Sequence, residues 1–465
     1  MLPQTAREVS LPDPSLLRRF DVPGPRYTSY PTADRFIEAF DAESFAGWLR
    51  SRAVMPARPL SIYVHVPFCN TICYYCACNK VITRDHGKAV EYLDFLAREI
   101  DLVAGHLEPG QGIEQLHLGG GSPTYLTSEE LQRLVAMITE RFPLDPGGEF
   151  GVEVDPRTAP PEKVRALGAL GFNRLSVGVQ DFDPDVQRAV NRIQSFDDTR
   201  ATVDAAREAG FNSINLDLIY GLPLQTRGTF ARTLDQVLEL APDRIALYHY
   251  AHLPERFKPQ RRISADQVPS SEEKLQIMMG AITRLTECDY EYIGMDHFAK
   301  VGDDLARAQR QGRLHRNFQG YSTRPECDLI GLGVSAISKV GPTYSQNARA
   351  LEDYYDCLRN GRLPTTRGVL LNADDLLRRA VIMALMCHFT VSKEAIESAH
   401  LVRFDEYFRR ELEELKPLEQ AGLVENSREW ISITPRGKLL VRAVAMNFDG
   451  YLRDDQRSRP YSKIV

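Results

Sequence analysis

Four of the eight cysteines fall within one ten-residue stretch, at Cys69, Cys73, Cys76 and Cys78. Three of them, Cys69, Cys73 and Cys76, make a C-x3-C-x2-C spacing directly after the apolar run LSIYVHV, with Tyr75 inside it. Soft thiolates select zinc or iron–sulfur clusters. Three on one short loop suit a [4Fe-4S] cube whose fourth iron has no protein ligand and stays open to a small molecule. The alternative is a structural zinc knuckle, but zinc sites of that kind pair two separated hooks, and neither a second hook nor a suitably spaced His pair is present. The remaining cysteines, Cys288, Cys327, Cys357 and Cys387, stand alone among apolar or mixed neighbours and read as structural thiols. The eight are therefore a metal-type layout rather than a disulfide framework.

Other polar and Gly-rich residues sit where a ligand would need them. Gly119-Gly120-Gly121-Ser122-Pro123 lacks Cβ atoms at three consecutive positions and lets backbone groups approach a ligand closely, although a Gly run is also an ordinary turn. Glu153 and Asp217 fall at predicted strand ends, where they serve either as acceptors for hydroxyl or ammonium groups or as solvated caps. Gln180 and Arg192 follow another strand, and Arg192 pairs with a ligand carboxylate or with a surface acid.

The elements that would position these residues alternate regularly. Between residues 60 and 250 the β-branched runs LSIYVHV, IEQLHLG, EFGVEV, NRLSVGV, SINLDLIYG and RIALYHYA are separated by segments of helical periodicity such as EYLDFLAREIDLVAGHL and FARTLDQVLELA. Strand alternating with helix predicts parallel βαβ units, either a partial (β/α) barrel or a doubly wound sheet, and in both ligands gather beyond the strands' C-terminal ends. The cysteine loop, the Gly run, EVDP, GVQDF and DLIYGLP all fall at such ends, which predicts one site built from many loops.

Four segments are expected: residues 1–56, an ordered arm holding GPRYTSYPTADRF and neither period; 57–260, the barrel core; 261–365, a barrel extension; and 366–465, a mainly helical C-terminal domain. Within the last, LEQAGLVENSREWISITPRGKLLVRAVA reads helix, hairpin, helix, a winged-helix-like pattern, with acidic and basic residues nearly balanced. A formal net charge of -6 argues against nonspecific nucleic-acid binding. No stretch of 18 apolar residues and no signal-peptide core is found, so a cytoplasmic protein without a membrane span is expected.

The cysteine spacing is the signature of the radical S-adenosylmethionine (SAM) superfamily, and longer blocks carry the resemblance further. YVHVPFCNTICYYCACNK, LHLGGGSPTYL, VEVDPRT, LSVGVQDFDPDVQRAVNRIQ, NLDLIYGLP, YHYAHLP, HRNFQGYST, IGLGVSAIS and PRYTSYPTA closely resemble the oxygen-independent coproporphyrinogen III oxidase family over roughly residues 24–450. The resemblance implies an α/β fold, an incomplete (β/α)6 TIM-like barrel, with a [4Fe-4S] cluster on Cys69, Cys73 and Cys76 and two SAM molecules. It places Tyr63, Gly120, Glu153 and Ile337 around the cluster-bound SAM, and Tyr75, Gly121, Ser122, Gln180, Arg192, Asp217 and Ala251 around the second. Tyr75 stands where the family often has Phe, and Ser122 where it often has Thr. Cys78 matches a further family cysteine that is not a cluster ligand.

The implied reaction converts two propionate side chains of coproporphyrinogen III to vinyl groups, giving protoporphyrinogen IX in anaerobic haem biosynthesis. The implied partners are that substrate, an electron donor for the cluster and a final electron acceptor, with a monomer expected. The arm residues Arg26, Tyr27, Ser29 and Tyr30 are expected either to contact substrate or to strap the barrel, and Arg316, Asn317 and Gln319 either to meet its carboxylates or the cofactor or to build a buried turn. A haem-binding chaperone of the same superfamily is the competing reading. Cys78, the PRYTSYPTA arm and HRNFQGY favour the enzyme.

Overall fold

A computed structural model of the chain describes residues 9–11, 13–54, 58–324, 327–454, 461 and 463. The chain divides into two compact units. The larger comprises Phe36–Ser270 and Glu326–Leu370, and the smaller Met1–Arg35, Ser271–Pro325 and Leu371–Val465.

The larger unit contains all six anticipated strands, labelled here β1 (Leu60–Val66), β2 (Ile113–Gly120), β3 (Leu144–Val154), β4 (Arg174–Gln180), β5 (Ser213–Tyr220) and β6 (Arg244–His249). They are parallel and adjacent in chain order. Four more strands extend the sheet from the other side of β1: β7 (Asp328–Leu332), parallel to β1, then the antiparallel β8 (Ile337–Val340), β9 (Thr343–Asn347) and β10 (Thr365–Leu370). The order is therefore β10-β9-β8-β7-β1-β2-β3-β4-β5-β6.

The connecting helices include Gly87–Ala104, Ser128–Thr139, Pro161–Ala169, Phe196–Glu208 and Arg227–Glu239. Three of them begin with a reciprocal capping box, built on Thr127 with Glu130, Ser195 with Asp198 and Thr226 with Thr229. Each box satisfies N–H groups that a helix start otherwise leaves orphaned. Strand alternation follows burial: in β4 Leu175, Val177 and Val179 are buried, while Ser176, Gly178 and Gln180 are less so and line the site described below.

The arm has helices on either side of GPRYTSYPTADRF, and that stretch itself holds only the short turn Ala33–Arg35. The helices are Pro14–Phe20 and Ala42–Ser51, capped by the carboxylates of Asp13 and Asp41. Both are short, and the Asp caps are what make such brief helices start cleanly. Tyr27, Ser29 and Tyr30 are buried within the smaller unit. The Tyr27 hydroxyl donates to Asp449 at 2.9 Å, Ser29 donates to the Pro31 carbonyl, and the Tyr30 oxygen accepts from the Gly450 N–H at 3.0 Å. Arg26 pairs with Asp296.

Near the C-terminus the expected helix, hairpin and helix appear as Arg409–Gln420, Val424–Asn426 with Trp430–Ile433, and Val441–Met446. A third strand, Thr390–Ser392, pairs with Trp430–Ile433 and makes the hairpin a small antiparallel sheet.

Candidate functional site

At the C-terminal ends of β1 to β5 the larger unit holds a cavity of about 720 Å³, counting its open mouth. Cys69, Cys73, Tyr75, Cys76, Gly120, Gly121, Ser122, Glu153, Gln180, Arg192 and Asp217 all line it, together with Cys78. Tyr63, Ala251 and Ile337 do not line it. Tyr63 lies on β1, hydrogen-bonded to His65 at 3.1 Å and stacked on His117. Ala251 follows β6, and Ile337 opens β8, where its backbone packs against Gly331 so closely that a Cβ there would meet the Ile337 carbonyl oxygen at 2.5 Å.

The cysteine loop leaves β1 through Phe68–Cys69, which pairs with Val81–Ile82. It is pinned from the segment after β4. The Tyr74 N–H donates to the Val190 carbonyl at 2.9 Å, and the Asn191 side chain donates to the Ile72 carbonyl at 2.7 Å. Tyr74 and Tyr75 pack on a cluster of Val186, Val190, Leu222, Tyr250 and Ile263. Among the described residues no three His, Cys, Asp or Glu side chains converge on one metal ion. In a cube each thiolate meets its own iron, so three ligands need not share a point.

The glycines serve packing as much as any ligand. A Cβ on Gly119 would lie 2.8 Å from Glu153 Oε1, one on Gly120 2.7 Å from the Val66 carbonyl, and one on Gly121 2.5 Å from the Pro67 carbonyl. Only residues without Cβ let this loop lie against the root of the cysteine loop. The Gly120 N–H donates to Glu153 Oε2 at 3.3 Å, and Gly120 has φ +126, in the region that favours glycine.

Around Cys73 two guanidinium groups share one carboxylate. Arg192, buried, donates to Asp155 at 3.2 Å, to the Gly178 carbonyl at 2.5 Å and to Cys73 Sγ at 3.7 Å. Arg157 donates to Asp155 at 2.6 Å and to Cys73 Sγ at 3.6 Å. Burial alone would raise the Asp155 carboxyl, but Arg192 and Arg157 outweigh it and hold it at about 2. Asp217 is pushed up to about 6 by burial and by Glu153, against hydrogen bonds from Ser176 at 3.0 Å and Asn215 at 2.9 Å. Burial pushes the Cys69 thiol up to about 12, whereas the Cys78 hydrogen bond brings Cys76 down to about 6 despite burial.

Asp155, Arg157, Ser176 and Asn215 escaped the sequence reading. The motif VEVDPRT contained the first two, two and four residues beyond Glu153, and the charge alternation there was the available signal. Gln180 adopts φ +68 at a register shift in the β4–β5 pairing, a bulge that re-aims the strand end.

A profile of the radical SAM superfamily matches residues 63–237, and one of the HemN C-terminal domain matches residues 371–440. The chain is 50% identical to the oxygen-independent coproporphyrinogen III oxidase of Pseudomonas aeruginosa over 455 residues, covering 97% of this chain and 98% of that one. This chain belongs to the oxygen-independent coproporphyrinogen III oxidase family.

The Escherichia coli member is 46% identical over 453 residues, again 97% of this chain and 98% of the relative. A solved structure described as coproporphyrinogen III oxidase (HemN) from Escherichia coli, a radical SAM enzyme, superposes with a TM-score of 0.91 at 45% identity, over 96% of this chain and all of that one. Membership in the family implies an oxidoreductase that uses a [4Fe-4S] cluster and SAM. Among the described residues no helix is long and apolar enough to cross a membrane.

Proposed function

We propose that this chain converts two propionate groups of coproporphyrinogen III to vinyl groups without oxygen, using a cluster on Cys69, Cys73 and Cys76 and two SAM molecules. The observation that carries this reading is the single cavity that gathers the three thiols, the Gly120–Ser122 loop and the acceptors Glu153 and Asp217. The donor set fits the cluster: three soft thiols on one loop, with no fourth protein ligand needed. Held by Cys69, Cys73 and Cys76, the cluster would supply, together with SAM, radical hydrogen-atom abstraction at a propionate carbon, with the remaining electron passing to a final acceptor as CO2 is lost.

The chain's own residues bind and orient. Glu153 and Asp217 present carboxylate oxygens to hydroxyl and ammonium groups, Arg192 and Gln180 close the side formed by β4, and Tyr75 offers an aromatic face. Tyr63, Gly120 and Ile337 are assigned with Glu153 to the first SAM; Gly121, Ser122 and Ala251 join the second. Cations for the substrate's carboxylates are also required. Arg316 is a candidate, because it is buried, its guanidinium lies over the Tyr321 ring, and among the described residues its Nε and Nη1 have no hydrogen-bond partner. Gln319 Nε2 is in the same condition. The reading further calls for an electron donor, a final acceptor, a cytoplasmic setting and a monomer.

The test is anaerobic turnover of the reconstituted protein with SAM, reductant and coproporphyrinogen III. Vinyl products, CO2 and 5′-deoxyadenosine are expected together. Their joint absence with an intact cluster overturns the reading. The competing haem-chaperone reading predicts haem transfer and none of the three products.

A further inference from the structure

The cavity wall holds a charged group that the family resemblance leaves without a task. Arg157 lies just beyond β3, on the turn Pro156–Thr158 that Asp155 caps through the Arg157 N–H at 3.1 Å. Its guanidinium grips Asp155 with Nε at 3.0 Å from Oδ1 and Nη2 at 2.6 Å from Oδ2. The same Nη2 reaches Cys73 Sγ at 3.6 Å, and Nη1 lies 3.5 Å from the Thr71 hydroxyl. Arg192 comes to the same sulfur from beyond the C-terminal end of the neighbouring strand β4, at 3.7 Å, and shares the Asp155 carboxylate. Two guanidinium groups and one carboxylate thus surround one thiol, an excess of one positive charge.

We propose that Arg157 is a positioning residue for the Cys73 thiolate and that its N–H···S contact raises the reduction potential of the cluster that Cys73 helps to hold. The inference rests on the reading of Cys73 as a cluster ligand. Hydrogen bonds to the sulfurs and the net charge near a cluster set its potential. Reduction adds negative charge to the cluster and its thiolates, so a fixed cation and an aimed donor stabilise the reduced form more than the oxidised one. Arg157 is suited to this because its side chain is only 22% exposed and Asp155 fixes its fork. Arg192 cannot be assigned this task cleanly, since it is also placed against the second SAM.

The experiment compares reconstituted wild type, Arg157→Gln and Arg157→Lys by an electron paramagnetic resonance titration of the reduced cluster against poised potential, at matched iron content. Arg157→Gln removes the charge and the fork, and its midpoint is expected to be more negative. At the potential that half-reduces the wild type, the ratio of reduced to oxidised cluster should fall about threefold or more, equivalent to ~30 mV at ~59 mV per decade for one electron. Arg157→Lys keeps the charge but loses the planar donor, and should fall between the two. A midpoint unchanged in Arg157→Gln at full iron content overturns the inference. So does loss of iron from both variants with the fold intact, because a contact that tunes a cluster is dispensable for its assembly. If the wild type itself takes up no cluster, it is the assignment of the cysteines that fails, a result distinct from either.

Discussion

The Gly120 N–H donates to Glu153 Oε2 across 3.3 Å, so the loop after β2 and the carboxylate ending β3 are held as one piece against the root of the cysteine loop. The neighbouring glycine shows how little room there is. A Cβ at Gly121 would lie 2.5 Å from the Pro67 carbonyl oxygen and 2.8 Å from that of Phe68.

Gly121→Ala is therefore expected to displace the backbone next to Cys69, costing about 1–3 kcal/mol as overpacking does. It should lower the iron retained after reconstitution. Gly280→Ala is the control, since nothing lies within 4 Å of its Cβ position and it sits in helix Ser271–Glu287. That change should leave urea unfolding equal or slightly stabilised. Equal iron content in both variants would show that the glycine loop does not brace the cysteines.

Removing one thiol leaves two, too few to hold the cube by the proposed arrangement. Cys73→Ala should lose the broad absorbance near ~400 nm that iron–sulfur centres show, while Cys387→Ala, a buried thiol remote in sequence, should keep it. Full absorbance in Cys73→Ala would mean the ligands are wrongly chosen.

If Asp217 holds SAM as proposed, binding carries a pH signature. Its carboxyl, pushed up to about 6 by burial and the nearby Glu153, with Arg192 opposing, is largely protonated below that pH. The raised value means that the folded state favours the protonated form, so the stability it contributes is lost as pH rises from its ordinary 3.8 through about 6. The ionised form accepts a hydroxyl or ammonium hydrogen bond more strongly than the protonated one, so SAM affinity measured by equilibrium dialysis should rise through pH 6. In Asp217→Asn the profile should be flat across that window.

Glu99 provides a test of stability away from the cysteines. It is buried in helix Gly87–Ala104 and accepts from the Gly333 N–H at 2.7 Å, the Asn347 side chain at 2.6 Å and the Tyr354 hydroxyl at 2.6 Å. Burial nevertheless pushes its carboxyl up to about 7. A carboxyl moved from 4.5 to about 7 takes on the order of 3 kcal/mol from folding stability as pH rises across that range. Glu99→Gln mismatches a donor to Asn347 and should destabilise, but by less at pH 8 than at pH 5. Urea midpoints at the two pH values check the sign, and a constant difference would contradict it.

The sequence by itself determined the chemistry and the frame. The C-x3-C-x2-C spacing is local, so the thiol loop could be read directly, and the six parallel strands followed from apolar runs separated by amphipathic helices. Period alone could not order β7 to β10, because short strands such as Ile337–Val340 carry too few residues to show alternation. Nor could it find the helices of the arm, whose starts depend on single Asp caps. Tertiary structure decided which charges meet. Asp155 and Arg192 are 37 residues apart and come together on Cys73 only because β3 and β4 are neighbours in the sheet. The glycine loop likewise acquires its tight fit only when β2 is laid beside β1, since a close approach between two strands is a property of their packing and leaves no periodic trace along either one.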